Sequence, residues 1–240
     1  MACFDNYVEN MLGFYDELTD CINYAGIYSK GRTFMEQIQR LEEMLLVQLG
    51  KHGFKKKRRN TFVRKENDCI QHMTILSTKK RGENTALISI NIGFTYERIN
   101  KIIAFIQEER YDNRWATASI NLATLINRNE PYNFYINEEQ QLDSTVEDIT
   151  KNIESYAFDF WGKSNKLEKY YDLLKSENEI IRMATFPLKR PEWSLLALSI
   201  LLKKDSYYEI LQIHREDFEK NNFSINKIRS KENDVKREFV

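Results

Sequence analysis

Glycine and proline are scarce, with 8 and 3 in 240 residues, which disfavours a loop-rich all-β protein whose turns draw on both. The three cysteines, Cys3, Cys21 and Cys69, form no CxxC pair and no zinc spacing. A scattered, odd set of this kind points to reduced thiols in a cytoplasm. No stretch approaches the roughly 20 apolar residues needed to cross a bilayer, and the longest apolar cluster, 193–202, is interrupted by Ser194 and Ser199. The opening MACFDNYVENMLGFYDELTD is acidic and lacks the basic and apolar regions of a secretory leader. Glycine-rich phosphate cradles are absent. None of His52, His72 and His214 has a second His or Cys at metal-ligand spacing. No catalytic residue, cofactor or metal site is therefore expected, and the expected location is cytoplasmic, away from membranes.

What is present is enough for a packed interior: 42% of residues are hydrophobic and 12% aromatic. Thirty-six acidic residues balance thirty-six basic ones, so no net charge drives the chain towards nucleic acid. The distribution is uneven. Residues 51–65 carry eight positive charges and no negative one, and residues 138–160 carry seven negative charges and one positive.

Periodicity predicts the elements. Phe4, Val8, Met11, Tyr15, Leu18 and Ile22 form one apolar stripe on a first helix. After a break at 25–32, Phe34, Ile38, Leu41, Leu45 and Leu49 form another, ending between Gly50 and Gly53. The period then changes. Extended segments around Thr61, Val63 and Ile70 flank an Asn67-Asp68 turn, and Ala86, Ile88, Ile90 and Ile92 alternate along the strongest strand. Residues 96–109 read as a short helix, and 118–126 and 132–136 as strands around a 127–131 turn. Leu142, Val146, Ile149, Ile153, Tyr156 and Phe160 lie on one long helix, with Ser144 and Glu147 fitting a capping box. Three helices follow, at 166–177, 192–203 and 206–220, and the charged stretch 224–240 is expected to fray. The fold class is thus α+β: an antiparallel sheet of four or five strands with flanking helices, an N-terminal helix and a C-terminal helical bundle. The divisions are 1–30, 31–163, 164–222 and 223–240.

The segment from Phe34 to about Trp161 resembles a bacterial family known as domain of unknown function 4304. The resemblance is carried by Leu49-Gly50-Lys51-His52-Gly53-Phe54-Lys55-Lys56-Lys57, Thr61-Phe62-Val63-Arg64, Ile88-Ser89-Ile90-Asn91-Ile92-Gly93 and Tyr156-Ala157-Phe158-Asp159-Phe160-Trp161. The tail at 195–216 looks like that of longer members. The resemblance implies a fold and no established reaction. Some similar helix-sheet-helix families act as immunity proteins to secreted toxins, an analogy of architecture.

Two surface features are candidate sites. Lys55, Lys56, Lys57, Arg58 and Arg59 could grip phosphates or an acidic partner. Alternatively they line a solvated edge strand whose lysines block aggregation, a reading favoured by the lack of interleaved aromatics. Arg110, Tyr111, Arg114 and Trp115 sit in a polar-aromatic loop of the residue types enriched at interface hot spots. Its plainer reading is a Trp packed back on the sheet under an Arg. Glu138 and Glu139 open the acidic stretch. The expected function is non-catalytic protein binding of the immunity or antitoxin type, masking a toxin encoded nearby by steric occlusion and charge matching. Alternatives are nucleic-acid binding through 51–65 and an uncharacterised enzyme. Trp193, Leu195, Leu196 and Leu198 are expected to fill a helical seam with Tyr170, Tyr171, Leu173 and Leu174, or to pair with a second copy of the chain.

Overall fold

Thr33 caps the first helix, α1 (Phe34–Gly50). Its hydroxyl accepts from the Glu36 N–H at 3.3 Å, and the Glu36 carboxylate accepts from the Thr33 N–H at 2.7 Å. This capping box satisfies two of the amide donors that a helix start leaves open. The computed structural model describes residues 33–58, 60–81, 85–126, 134–137, 141–176, 178–184 and 191–240. The expected N-terminal helix, the 127–131 turn, Arg59, Glu138 and Glu139 lie outside the described residues.

The α1 stripe is as expected, with Ile38, Leu41, Leu45 and Leu49 buried. Gly53, at φ 84°, turns the chain out of the helix, a conformation that favours glycine. The strands are β1 (Lys55–Arg58), β2 (Thr61–Glu66), β3 (Cys69–Lys79) and β4 (Ala86–Thr95). Each pairs antiparallel with the next. Asn67, at φ 56°, makes the β2–β3 turn where Asn67-Asp68 was expected to make it.

From β4 the chain enters α2 (Glu97–Gln107) and returns as β5 (Ala118–Asn121). Residues 122–125 were expected to extend that strand. They form the helical turn α3 (Leu122–Leu125) instead, because the Asn121 side chain accepts from the Ala123 N–H at 2.8 Å and caps it. A separate strand, β6 (Phe134–Ile136), follows. Both β5 and β6 pair with β4, β5 opposite 91–94 and β6 opposite 86–88. The sheet therefore has six strands in five positions, with β1 at one edge.

One sheet face is apolar. Phe62, Met73, Ile75, Ile88, Ile90, Ile92 and Ile120 are buried, as the β4 alternation predicts. Helices α1 and α4 (Leu142–Asn152) pack side by side, and α4 continues through a π-helical turn, Ile153–Ala157, into α5 (Phe158–Ser164). The π-turn corrects the expected stripe. Its extra residue shifts the helix face, leaving Tyr156 44% exposed while Ala157, Phe160 and Trp161 turn inward. The expected Ser144–Glu147 capping box is also absent: α4 starts at Leu142, so Ser144 lies within the first turn and donates to the Gln141 carbonyl at 2.9 Å.

The tail comprises α6 (Leu167–Lys175), α7 (Glu179–Met183), α8 (Pro191–Leu201), α9 (Tyr207–Ile213), α10 (Arg215–Lys220) and α11 (Ile225–Phe239). Helix α8 is buried almost all round, the mark of a central helix. It packs against α2, α6, α9 and α11, so the apolar seam expected of Trp193, Leu195, Leu196 and Leu198 is filled within the chain. Trp193 meets Phe218 edge-on at 4.6 Å and Phe223 at 5.0 Å. The helix expected over 206–220 is broken at His214.

The expected fraying of 224–240 is also corrected. Ser224 caps α11, and Ile225, Ile228 and Val235 are buried. Glu108 accepts from Lys227 and Lys231, both at 2.7 Å, and ties α11 to the end of α2. Those two lysines hold the Glu108 carboxyl down at about 2. No helix among the described residues is long and apolar enough to cross a membrane.

Candidate functional site

The basic run forms the edge strand β1, with all four residues exposed. Among the described residues, β1 pairs only with β2, and the register shifts between Lys56 and Arg58. Lys56 stands apart from its neighbours. It lies across from Phe62, on the helix-covered face, and donates to Glu42 of α1 at 2.9 Å. The Glu42 side chain is 1% exposed, and a carboxylate held that far from water needs a counter-charge. Lys55, Lys57 and Arg58 are left as the outward cations of the edge.

The 110–115 loop is braced from within. Asp112 accepts from the Arg114 backbone N–H at 2.8 Å, and takes a two-pronged grip from Arg114 Nε at 2.9 Å and Nη2 at 2.6 Å. These bonds hold the Asp112 carboxyl down at about 2, and Arg58 of β1 adds to the pull. The two sequence-predicted sites are therefore brought within electrostatic reach of each other. Trp115 packs half-buried against the core, and its carbonyl accepts from Asn100 Nδ2 at 2.9 Å. The Arg expected over the Trp ring is engaged by Asp112, and the cation over an aromatic face in this loop is Lys101, 5.5 Å from the Tyr111 ring. Arg110 is exposed.

A third cluster escaped the sequence reading. Arg64, on β2, lies 5.0 Å from the ring centres of Phe54 and Phe158 and 5.9 Å from Trp161. Its Nε donates to Gln71 at 2.7 Å and its Nη1 to the His52 carbonyl at 3.1 Å. Gln71 and Asn165 in turn donate to opposite oxygens of Glu66 at 2.9 and 2.8 Å. Trp161 Nε1 donates to the Gly93 carbonyl at 2.8 Å, and His52 bonds Glu154 at 3.0 Å. Guanidinium planes suit this combination of ring stacking and forked donation. The cluster gathers convergent polar groups, but its donors meet acceptors inside the protein, so it acts as a clamp between strand and helix.

His72 occupies the other sheet face beside Gly93. A Cβ on Gly93 would stand 2.4 Å from the His72 ring and 2.6 Å from the Ala118 carbonyl, so glycine is required there. Burial pushes the His72 imidazole down to about 4, and Lys57 contributes in the same direction. Burial also raises the Cys69 thiol to about 12, which leaves it a poor nucleophile. Cys3 and Cys21 lie outside the described residues. Among the described residues no three His, Cys, Asp or Glu side chains are grouped to hold a metal ion.

Fold and clamp together define a helix-backed antiparallel α+β domain pinned by an arginine among aromatic rings. Residues 47–163 match the family model described as a domain of unknown function, DUF4304, and that segment belongs to the family. The motifs that carry the resemblance supply the clamp: Phe54 from the first, Arg64 from the second, Gly93 from the third, and Phe158 and Trp161 from the last. No curated protein and no solved structure matches the chain.

Proposed function

We propose that this chain is a non-catalytic, cytoplasmic protein-binding protein of the immunity or antitoxin type, which masks an acidic partner protein encoded nearby by steric occlusion. One observation carries the reading: among the described residues β1 has no partner on its outer side, and it presents Lys55, Lys57 and Arg58 as exposed cations. A strand edge offers a row of backbone donors and acceptors to an extended segment. Lysines along it repel neutral or basic strands and admit an acidic one. Arg110 and Arg114 of the 110–115 loop are exposed as well.

Nucleic acid is the rival ligand for the same cations. Single strands bind by stacking on exposed rings, and the rings nearest β1, Phe54 and Phe62, are 2% and 0% exposed. The test mixes the purified chain with the proteins encoded beside its gene and follows complex formation by calorimetry. A complex that is lost in the variant carrying Lys55→Glu, Lys57→Glu and Arg58→Glu supports the reading. Failure to bind any of those proteins counts heavily against it. Binding to DNA or RNA oligonucleotides that weakens steeply with salt favours the rival.

A further inference from the structure

The helical tail, beyond the family segment, forms an open cleft of about 540 Å³ between the end of α8, the 203–206 turn, α9 and α11. Its size falls in the range of small-molecule sites, about 300–1,000 Å³. Tyr207 lines it, is 4% exposed, and its hydroxyl is buried with no hydrogen-bond partner. Phenols buried in native proteins are ordinarily hydrogen-bonded, so the unmade bond of this lining residue is one that a ligand entering the cleft can complete. Burial, with the Glu232 carboxylate nearby, pushes the Tyr207 hydroxyl up, keeping it a donor.

The charges in the lining are Lys203, Lys204 and Lys236 against Asp205 and Glu232. Glu232 is already engaged, accepting from Tyr208 at 2.9 Å and from Lys236. Lys203 occupies an unusual position. The Lys204 N–H bonds the Ser199 carbonyl at 2.8 Å, the Lys203 N–H bonds the Ile200 carbonyl at 3.1 Å, and Lys203 has φ 51°. That is the C-terminal cap at which glycine is the favoured residue. A lysine there costs backbone strain of roughly 1 kcal/mol and sets an exposed ammonium at the cleft.

We infer that this cleft binds a small organic anion, whose carboxylate or phosphate group meets Lys203 and Lys204 and accepts from the Tyr207 hydroxyl, while its apolar body lies against Ile200 and the Tyr208 ring. The probes are phenyl phosphate and benzoate, with benzyl alcohol as the neutral control, titrated into the full chain by calorimetry and saturation-transfer NMR. At least one anion is expected to bind saturably and the alcohol not, and the tighter anion identifies the head group. Lys203→Gly removes the ammonium and relieves the cap, so the protein stays at least as stable while affinity falls about tenfold, the effect of a lost charge-assisted bond. Tyr207→Phe keeps the ring and weakens the anion about threefold, as for one neutral donor. Absence of saturable binding by either anion, or affinities unchanged in both variants, overturns the assignment.

Discussion

Arg64 and the cations of β1 lie close together in the sequence and have opposite fates. Arg64 is bracketed by Phe54, Phe158 and Trp161 and donates to Gln71 and the His52 carbonyl. Lys55, Lys57 and Arg58 face outward from the sheet edge. The cause is position in the ladder. Arg64 pairs with Gln71 on the helix-covered side of the sheet, where the closing helix delivers its rings. Lys55 pairs with Val63, which points to the opposite face from Phe62, and among the described residues the edge has no outer neighbour. Like charge in neighbouring residues therefore says little about role until the strand register is known.

The sharpest way to break this contrast is to remove a wall of the clamp. Trp161→Ala leaves a void beside Arg64 and strips the Gly93 carbonyl of its donor. Urea unfolding should show a loss of about 4 kcal/mol, as for large-to-small core changes. A loss below about 1 kcal/mol would mean that the rings do not hold the arginine.

His72 tests the interior by pH. Its imidazole, lowered to about 4 in the fold, returns to about 6.5 on unfolding. Between those values the unfolded chain binds the additional proton. The stability from keeping His72 neutral is thus full above about 6.5 and lost progressively as pH falls towards about 4, an effect on the order of 3 kcal/mol. Unfolding free energies from pH 7.5 to 4 should show this slope, and His72→Gln should flatten it.

Within β1 itself the contrast can be drawn at single-residue scale. Lys56→Ala strands the buried Glu42 carboxylate and should cost about 2 kcal/mol, whereas Lys55→Ala should stay within about 0.5 kcal/mol. Equal effects would dissolve the distinction between the two faces of the strand. A smaller loss than that of Lys56→Ala is expected of Arg64→Lys. It keeps the charge but loses the planar fork that stacks and donates twice, and should cost about 1.5 kcal/mol in thermal or urea melts.

Much of the fold was legible in the sequence because local periodicity encoded it. The β4 alternation of Ala86, Ile88, Ile90 and Ile92 and the α1 stripe from Ile38 to Leu49 both place buried residues where they are found. Local misreadings arose where one side chain or one residue reset the pattern. Asn121 caps a helical turn inside an expected strand, and the π-turn at Ile153–Ala157 moves the buried face from Tyr156 to Ala157. In α11 the apolar Ile225, Ile228 and Val235 are outnumbered by charged neighbours, so the stripe they bury is faint in the sequence. The clamp could not be read because its members come from distant segments. Arg64 belongs to one of the family motifs, yet nothing in its spacing reveals that Phe54 and Trp161 converge on it. The candidate surface was legible in composition, and the neighbourhood of Arg58 and Asp112 only in three dimensions.

Urea unfolding of two variants under one set of conditions decides whether Arg64 serves the interior while the β1 cations serve the exterior. Arg64→Ala should lose about 2–3 kcal/mol, because it leaves the buried Gln71 amide oxygen without its donor. The variant with Lys55→Glu, Lys57→Glu and Arg58→Glu should unfold within about 0.5 kcal/mol of the parent. An unperturbed Arg64→Ala protein, or a charge-reversed edge that unfolds as readily as the arginine variant, would contradict the account.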